Sequence, residues 1–116
     1  MIYKITSLKK SLLMLLLFSS LLSSNEIILI DVRSLEEVKT GIIQDAIHIE
    51  WTQIDKEIND IDVTKDQPIF LYCRSGNRSG KVKVILEKIG FTNVVNAGGI
   101  KEAAKKLDKK IVQYSE

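Results

Sequence analysis

The residues with the clearest chemical potential lie in one segment, 73–80, which reads CRSGNRSG. Cys73 is the only cysteine of the chain, and it follows an apolar run, Ile69 to Tyr72, that predicts a short buried strand. Apolar residues recur at helical spacing after Ser79, which is predicted to be the helix N-cap. The pattern therefore predicts a thiol at the carboxyl end of a strand, in a loop that leads into a helix.

Such a loop is suited to anions and to a thiolate. Its backbone N–H groups and those of the first helical turn form a concave anion site, and the helix dipole adds positive potential. Arg74 and Arg78 contribute two cations, while no Asp or Glu occurs from Gln67 to Leu86. An unperturbed cysteine, with a pKa of about 8.5, is only about 3% thiolate at pH 7. We therefore expect the loop to lower the pKa of Cys73 and activate it as a nucleophile.

A structural role is the alternative for this cysteine. A single cysteine after an apolar strand is usually a small buried hydrophobe. An inert buried thiol needs no cationic loop around it, however, so Arg74, Arg78, Gly76 and Gly80 favour the reactive interpretation.

The CRSGNRS segment resembles the active-site loop of the rhodanese (thiosulfate sulfurtransferase) family. Three other stretches resemble family segments in the expected order: LIDVR at 29–33, GIIQDAIHI at 41–49 and VVNAGGI at 94–100. Because the LIDVR strand begins soon after the apolar N-terminal segment, the chain resembles a short, single-domain member of the family, and it is most similar to the periplasmic phage shock protein E group. The chain departs from the family pattern in the second segment, where it has Ile42, Asp45, His48 and Glu50 in place of the usual His, Gly, Asn and Pro.

The resemblance implies an activity and a set of site residues. Cys73 would take the sulfane sulfur of thiosulfate as a persulfide and pass it to cyanide or a thiol acceptor. The residues implied to bind the substrate are Arg74, Ser75, Gly76, Asn77, Arg78 and Ser79. No metal or organic cofactor is implied.

Two other functions stay open at this point. One is a non-catalytic rhodanese-like binding module, and the other is a cysteine-dependent phosphatase or arsenate reductase. The phosphatase signature is C-x5-R, whereas here four residues separate Cys73 from Arg78. With one residue fewer, the loop forms a tighter ring of N–H groups around Cys73. Such a ring favours binding of a single sulfur atom over binding of a tetrahedral phosphate.

The N-terminal segment 1–24 has the layout of a secretory signal peptide. Three lysines precede an almost wholly apolar run, Leu12 to Leu22, and small residues follow. The run shows no polar face, which argues against a first amphipathic helix, and it is short for a membrane span. We therefore predict a signal peptide at 1–24 and a rhodanese-like domain at 25–116. The mature protein is expected to be periplasmic or secreted, without a stable membrane anchor.

Charge gives no indication of a nucleic-acid partner. The whole chain has a formal charge of +2, but segment 1–24 carries three lysines and no acid, which leaves the remainder near −1. The lysines from Lys101 to Lys110 are interpreted as a solvated face.

The remaining pattern predicts a single α/β domain with a mainly parallel sheet flanked by helices. The continuous apolar run Ile27 to Ile30 predicts a strand buried on both faces. Ligands of such sheets bind at the carboxyl ends of the strands, so Arg33, Cys73 and Asn96 are expected to gather at one edge.

Several other residues have expected structural roles. Asp31 and Arg33 are expected to tie the strand end to neighbouring loops, and Ser34 with Glu37 forms a capping-box signature. His48, the only histidine, is interpreted as a strand-end side chain, with a proton shuttle as the alternative. A helix is predicted from Trp51 to Ile61.

Overall fold

The structure is a computed structural model that describes residues 26–116. The predicted signal peptide, Met1 to Ser24, lies outside the described residues. The strands in chain order are β1 (Ile28–Asp31), β2 (Ile42–Ile43), β3 (Ile47–His48), β4 (Ile69–Cys73), β5 (Val94–Gly99) and β6 (Ile111–Val112). The α-helices are α1 (Leu35–Val38), α2 (Ile54–Glu57), α3 (Asn77–Ile89) and α4 (Ile100–Leu107).

A parallel four-stranded sheet with the order β3-β1-β4-β5 forms the centre of the domain. The prediction of an α/β fold with a mainly parallel sheet is confirmed. The cysteine strand β4 occupies an inner position, where both of its edges are paired. The carboxyl ends of β1, β4 and β5 therefore lie side by side, as the sequence predicted, although β5 ends at Gly99 and not at Asn96.

Each face of the sheet carries its own hydrophobic core, because successive residues of a strand point to opposite faces. On one face Ile30 and Leu71 pack with Val82 and Leu86 of helix α3. On the other face, helix α4 packs against the sheet. The buried residues of this second core are Leu29, Ile43, Tyr72, Ala97, Ala103 and Ala104.

Parts of the fold differ from the sequence predictions. The predicted helix 51–61 is split into 3-10 turns at Trp51–Gln53 and Ile58–Asp60 on either side of the short α2, although Ile54 and Ile58 are buried as expected. The sequence pattern also predicts that Gly41 ends the helix that opens at Ser34, but α1 ends at Val38 with Lys39 as its C-cap, so Gly41 follows the helix without capping it.

The connection after Gly41 contains a strand that the sequence did not predict. Strand β2 pairs antiparallel with β6 near the C-terminus. Asp45, which replaces the usual family glycine, has a φ of 69°. Asp tolerates this left-handed conformation better than most residues, so the turn forms without glycine.

None of the helices within residues 26–116 has the length and apolar character that a membrane crossing requires.

Candidate active site

Cys73 is the last residue of β4, and its side chain faces the start of helix α3. A β-bulge between Leu71 and Cys73 shifts the register so that Cys73 lies opposite Gly99 of β5. An added Cβ at Gly99 would lie only 2.6 Å from the carbonyl oxygen of Arg74, which explains why the residue facing the loop is glycine. The start of the loop, at Arg74, is therefore packed closely against Gly99 of β5.

The predicted N-cap was wrong. Gly76 is the N-cap of α3, with a φ of 96°, and the helix begins at Asn77. The left-handed conformation suits glycine, and it allows the chain to turn within three residues of Cys73. Ser79 instead lies inside the first turn, fully buried, with its hydroxyl directed at the cysteine.

The turn encloses the sulfur in a ring of hydrogen-bond donors. The N–H of Gly76 donates to Sγ of Cys73 at 2.9 Å, and the Ser79 hydroxyl oxygen lies 3.4 Å from Sγ. Burial raises the pKa of the Cys73 thiol. The Ser79 hydroxyl and the backbone N–H groups of Ser79, Ser75 and Gly76 more than offset this effect, so that the pKa is lowered overall. The direction of this shift is the one expected for Cys73, and its largest favourable causes are these donors and not the two arginines.

Asn96 supports the ring from strand β5. Its amide NH₂ donates to the Gly76 carbonyl at 2.9 Å, and its Oδ1 accepts from the Ser79 hydroxyl at 2.7 Å and from the Gly98 N–H at 3.0 Å. Ser79 has a single hydroxyl hydrogen, which is given to Asn96 in this arrangement and would have to turn towards Sγ to stabilise a thiolate. The sequence predicted Asn96 at the end of its strand, but β5 continues to Gly99, so Asn96 lies within the strand and its side chain reaches the loop from there.

Replacing Ser79 with alanine is expected to raise the pKa of the Cys73 thiol by about one to two units, because a hydrogen bond to a charged group is worth about 1.5–3 kcal/mol. The rate of alkylation by iodoacetamide as a function of pH measures the pKa. Ser75→Ala is the matched control, since the Ser75 side chain is exposed. An unchanged or lower pKa in Ser79→Ala would show that the hydroxyl does not stabilise the thiolate.

The two arginines of the loop have different environments. Arg78 forms a bidentate ion pair with Glu37, with Nη1 and Nη2 at 2.6 and 2.8 Å from the two carboxylate oxygens. The sequence window around Cys73 contains no acid, but the fold brings Glu37 in from helix α1. Arg74 is exposed, and it lines a groove of about 380 Å³ together with Arg33, Glu36, Glu37 and Thr40. The side chains of Ser75 and Asn77 are also exposed.

A buried ion pair ties the end of β1 to the segment around Gly41. The Arg33 guanidinium donates to both carboxylate oxygens of Asp31 at 2.6–3.0 Å and to the Gly41 carbonyl at 2.6 Å. Tyr72 lies beneath it, with the guanidinium carbon 5.8 Å from the ring centroid, and its hydroxyl accepts from the Ile43 N–H. These contacts agree with the expectation that Asp31 and Arg33 tie the strand end to a neighbouring loop.

The single histidine lies outside the ring around Cys73. His48 is hydrogen bonded through Nε2 to the Arg33 carbonyl oxygen at 2.7 Å, and its ring contacts Tyr114 edge-on. These contacts agree with the interpretation of His48 as a strand-end residue. Within residues 26–116, no cluster of His, Cys, Asp and Glu side chains has the arrangement of a metal site.

Fold and site together define a class of protein, namely an α/β domain that presents a single cysteine in a ring of hydrogen-bond donors at the carboxyl edge of a parallel sheet. The chain belongs to the Rhodanese-like domain family, which matches residues 16–106. The resemblance inferred from the sequence motifs is confirmed.

Individual relatives agree with this family. The chain is 38% identical over 75 residues to the thiosulfate sulfurtransferase PspE of Escherichia coli (strain K12), a match that covers 65% of this chain and 72% of that protein. It is 32% identical over 79 residues to a sulfurtransferase of Allochromatium vinosum, covering 68% and 72% of the two chains. A solved structure of an E. coli rhodanese with anions superposes with a TM-score of 0.70 at 32% identity, over 77% of this chain and all of that one.

Proposed function

We propose that the protein is a sulfurtransferase that takes the sulfane sulfur of thiosulfate onto Cys73 and passes it to cyanide or a thiol. The observation that carries the proposal is the 2.9 Å hydrogen bond from the Gly76 N–H to Sγ, inside a ring that lowers the thiol pKa. Membership of the family and similarity to sulfurtransferases support it.

In the first step the Cys73 thiolate attacks the outer sulfur of thiosulfate. The new bond joins Sγ to that sulfur, the S–S bond of thiosulfate breaks, and sulfite leaves with the electron pair. The product is a Cys73 persulfide anion, whose charge the loop N–H groups stabilise as they stabilise the thiolate. Arg74 is the loop cation that faces the groove and is available to attract the donor.

In the second step a thiophilic acceptor attacks the outer sulfur of the persulfide. With cyanide the products are thiocyanate and the original thiolate, so charge and atoms balance without an added oxidant or reductant. The two half-reactions predict ping-pong kinetics.

The two alternative functions have less support. A non-catalytic module does not need a lowered thiol pKa, and a phosphatase needs a wider ring and an acid to protonate the leaving alcohol. Glu37 lies near the loop, but its carboxylate is engaged by Arg78. We therefore expect negligible hydrolysis of aryl phosphates.

Thiosulfate treatment of the purified protein is expected to add the mass of one sulfur atom, and cyanide is expected to remove it as thiocyanate. Intact-mass spectrometry measures both steps, and p-nitrophenyl phosphate is the comparison substrate. A protein that gains no sulfur, or that turns over the phosphate ester faster than it transfers sulfur, would contradict the proposal.

We also propose that the domain is exported and acts in the periplasm or outside the cell. The charged and apolar pattern of segment 1–24 supports this location. N-terminal sequencing of the protein from its native host is the direct measurement, and a soluble species that retains Met1 would contradict export.

A further inference from the structure

Glu37 holds the arginine of the cysteine loop from a different part of the chain. It is the third residue of helix α1 and accepts from the backbone N–H and the hydroxyl of Ser34 at 3.2 and 3.0 Å. The same carboxylate forms the bidentate pair with Arg78, 41 residues away in sequence. The hydrogen bond from Arg78 lowers the pKa of Glu37 to about 2, so the carboxylate is ionised at neutral pH.

This pair changes the charge that an approaching anion meets. Arg78 is neutralised by Glu37, and Arg33 is neutralised by Asp31. Of the other charged groove residues, Glu36 pairs with Lys39, and Arg74 forms no salt bridge within residues 26–116. The groove beside the cysteine loop therefore keeps one uncompensated positive charge, although the loop sequence by itself carries two.

We propose that Glu37 is a positioning residue that sets the affinity of the cysteine loop for anions, by fixing the Arg78 guanidinium and cancelling its charge. The inference deepens the proposed function, on which it rests for its consequence in turnover. Glu37 need not touch the donor, because it acts through Arg78. A loop with free Arg78 would attract dianions more strongly and would discriminate less between a sulfur donor and other anions such as sulfate.

The chain offers a matched pair of variants. Glu37→Gln removes the charge while keeping the shape of the side chain and its ability to accept from Ser34. Glu36→Gln removes the same charge one residue earlier, in the same groove, from an exposed side chain whose only salt bridge within residues 26–116 is to Lys39. Only the first variant removes the charge that cancels that of Arg78.

The first measurement does not depend on sulfur transfer. The rates of Cys73 alkylation by anionic iodoacetate and by neutral iodoacetamide are compared, because their ratio cancels differences in thiol pKa and accessibility. We expect Glu37→Gln to raise this ratio by about threefold at low ionic strength, with a smaller gain at high salt, and Glu36→Gln to change it less than twofold. An unchanged ratio in Glu37→Gln, or an equal gain in Glu36→Gln, would overturn the proposal.

The second measurement applies the same logic to turnover. Coulomb energy is proportional to ligand charge, so kcat/KM of Glu37→Gln should rise by about tenfold for dianionic thiosulfate and about threefold for a monoanionic thiosulfonate. If Glu37 only stabilised the loop, kcat/KM would fall equally for both donors, and the proposal would be wrong. Absence of sulfur transfer in every variant would refute the proposed function alone, since the alkylation ratio still tests the role of Glu37.

Discussion

Replacing Cys73 with serine is expected to abolish sulfur transfer, with thiosulfate:cyanide turnover falling by at least about 10³-fold to the uncatalysed background. A serine hydroxyl is not ionised near neutral pH and cannot hold sulfur as a persulfide. The ring of donors around position 73 remains, but without a thiolate it has no nucleophile to stabilise. Thiocyanate formation followed over time measures the loss.

The control for this prediction is the folded state of the variant. Circular dichroism and the urea midpoint establish that Cys73→Ser is folded, since the Gly76 N–H and the Ser79 hydroxyl can still bond to a serine oxygen. Turnover within tenfold of the parent protein, in a preparation shown by mass to contain serine, would remove Cys73 from the mechanism.

Replacing Arg33 with methionine is expected to lower the free energy of unfolding by about 3–5 kcal/mol. The Arg33 side chain is 5% exposed and that of Asp31 is fully buried, so the substitution leaves a buried carboxylate without its partner. The Gly41 carbonyl also loses its donor. Equilibrium unfolding in urea measures the change, which is large for a domain of this size.

Two further variants separate the causes of this loss. In Asp31→Leu/Arg33→Met both charges are absent, and we expect a loss of only about 1–3 kcal/mol, because two neutral backbone groups, the N–H of position 33 and the Gly41 carbonyl, lose their partners but no buried charge does. Lys39→Met breaks an exposed pair with Glu36 and should change the free energy by less than about 1 kcal/mol. If Arg33→Met were no more destabilised than Lys39→Met, the buried pair would not be a main support of the fold.

Local sequence signals determined the strand before Cys73, the turn after it and the order of the main helices. Short apolar runs alternate with segments whose apolar residues recur at helical spacing, and this alternation was enough to predict an α/β fold with a mainly parallel sheet. The rule that sites lie at the carboxyl ends of strands placed Arg33, Cys73 and Asn96 together. Family motifs in the correct order then indicated the chemistry, and none of this required knowledge of long-range contacts.

Elements whose stability comes from partners far along the chain were not predictable in the same way. Strands β2 and β6 have two residues each and exist because they pair with one another. The N-cap was placed at Ser79 from residue preference, whereas the left-handed Gly76 starts the helix and frees Ser79 to face the sulfur. Residue preference is a weak guide when a nearby glycine can turn the chain first.

The electrostatics of the site depended most on tertiary structure. The sequence around Cys73 contains two arginines and no acid, which predicted a cationic ring. The fold brings Glu37 to Arg78 and Asn96 to Ser79, and it directs backbone N–H groups at the sulfur. Charge and hydrogen bonding act through space over a few ångströms, so a window of sequence could identify the nucleophile, but only the folded chain decided what stabilises it.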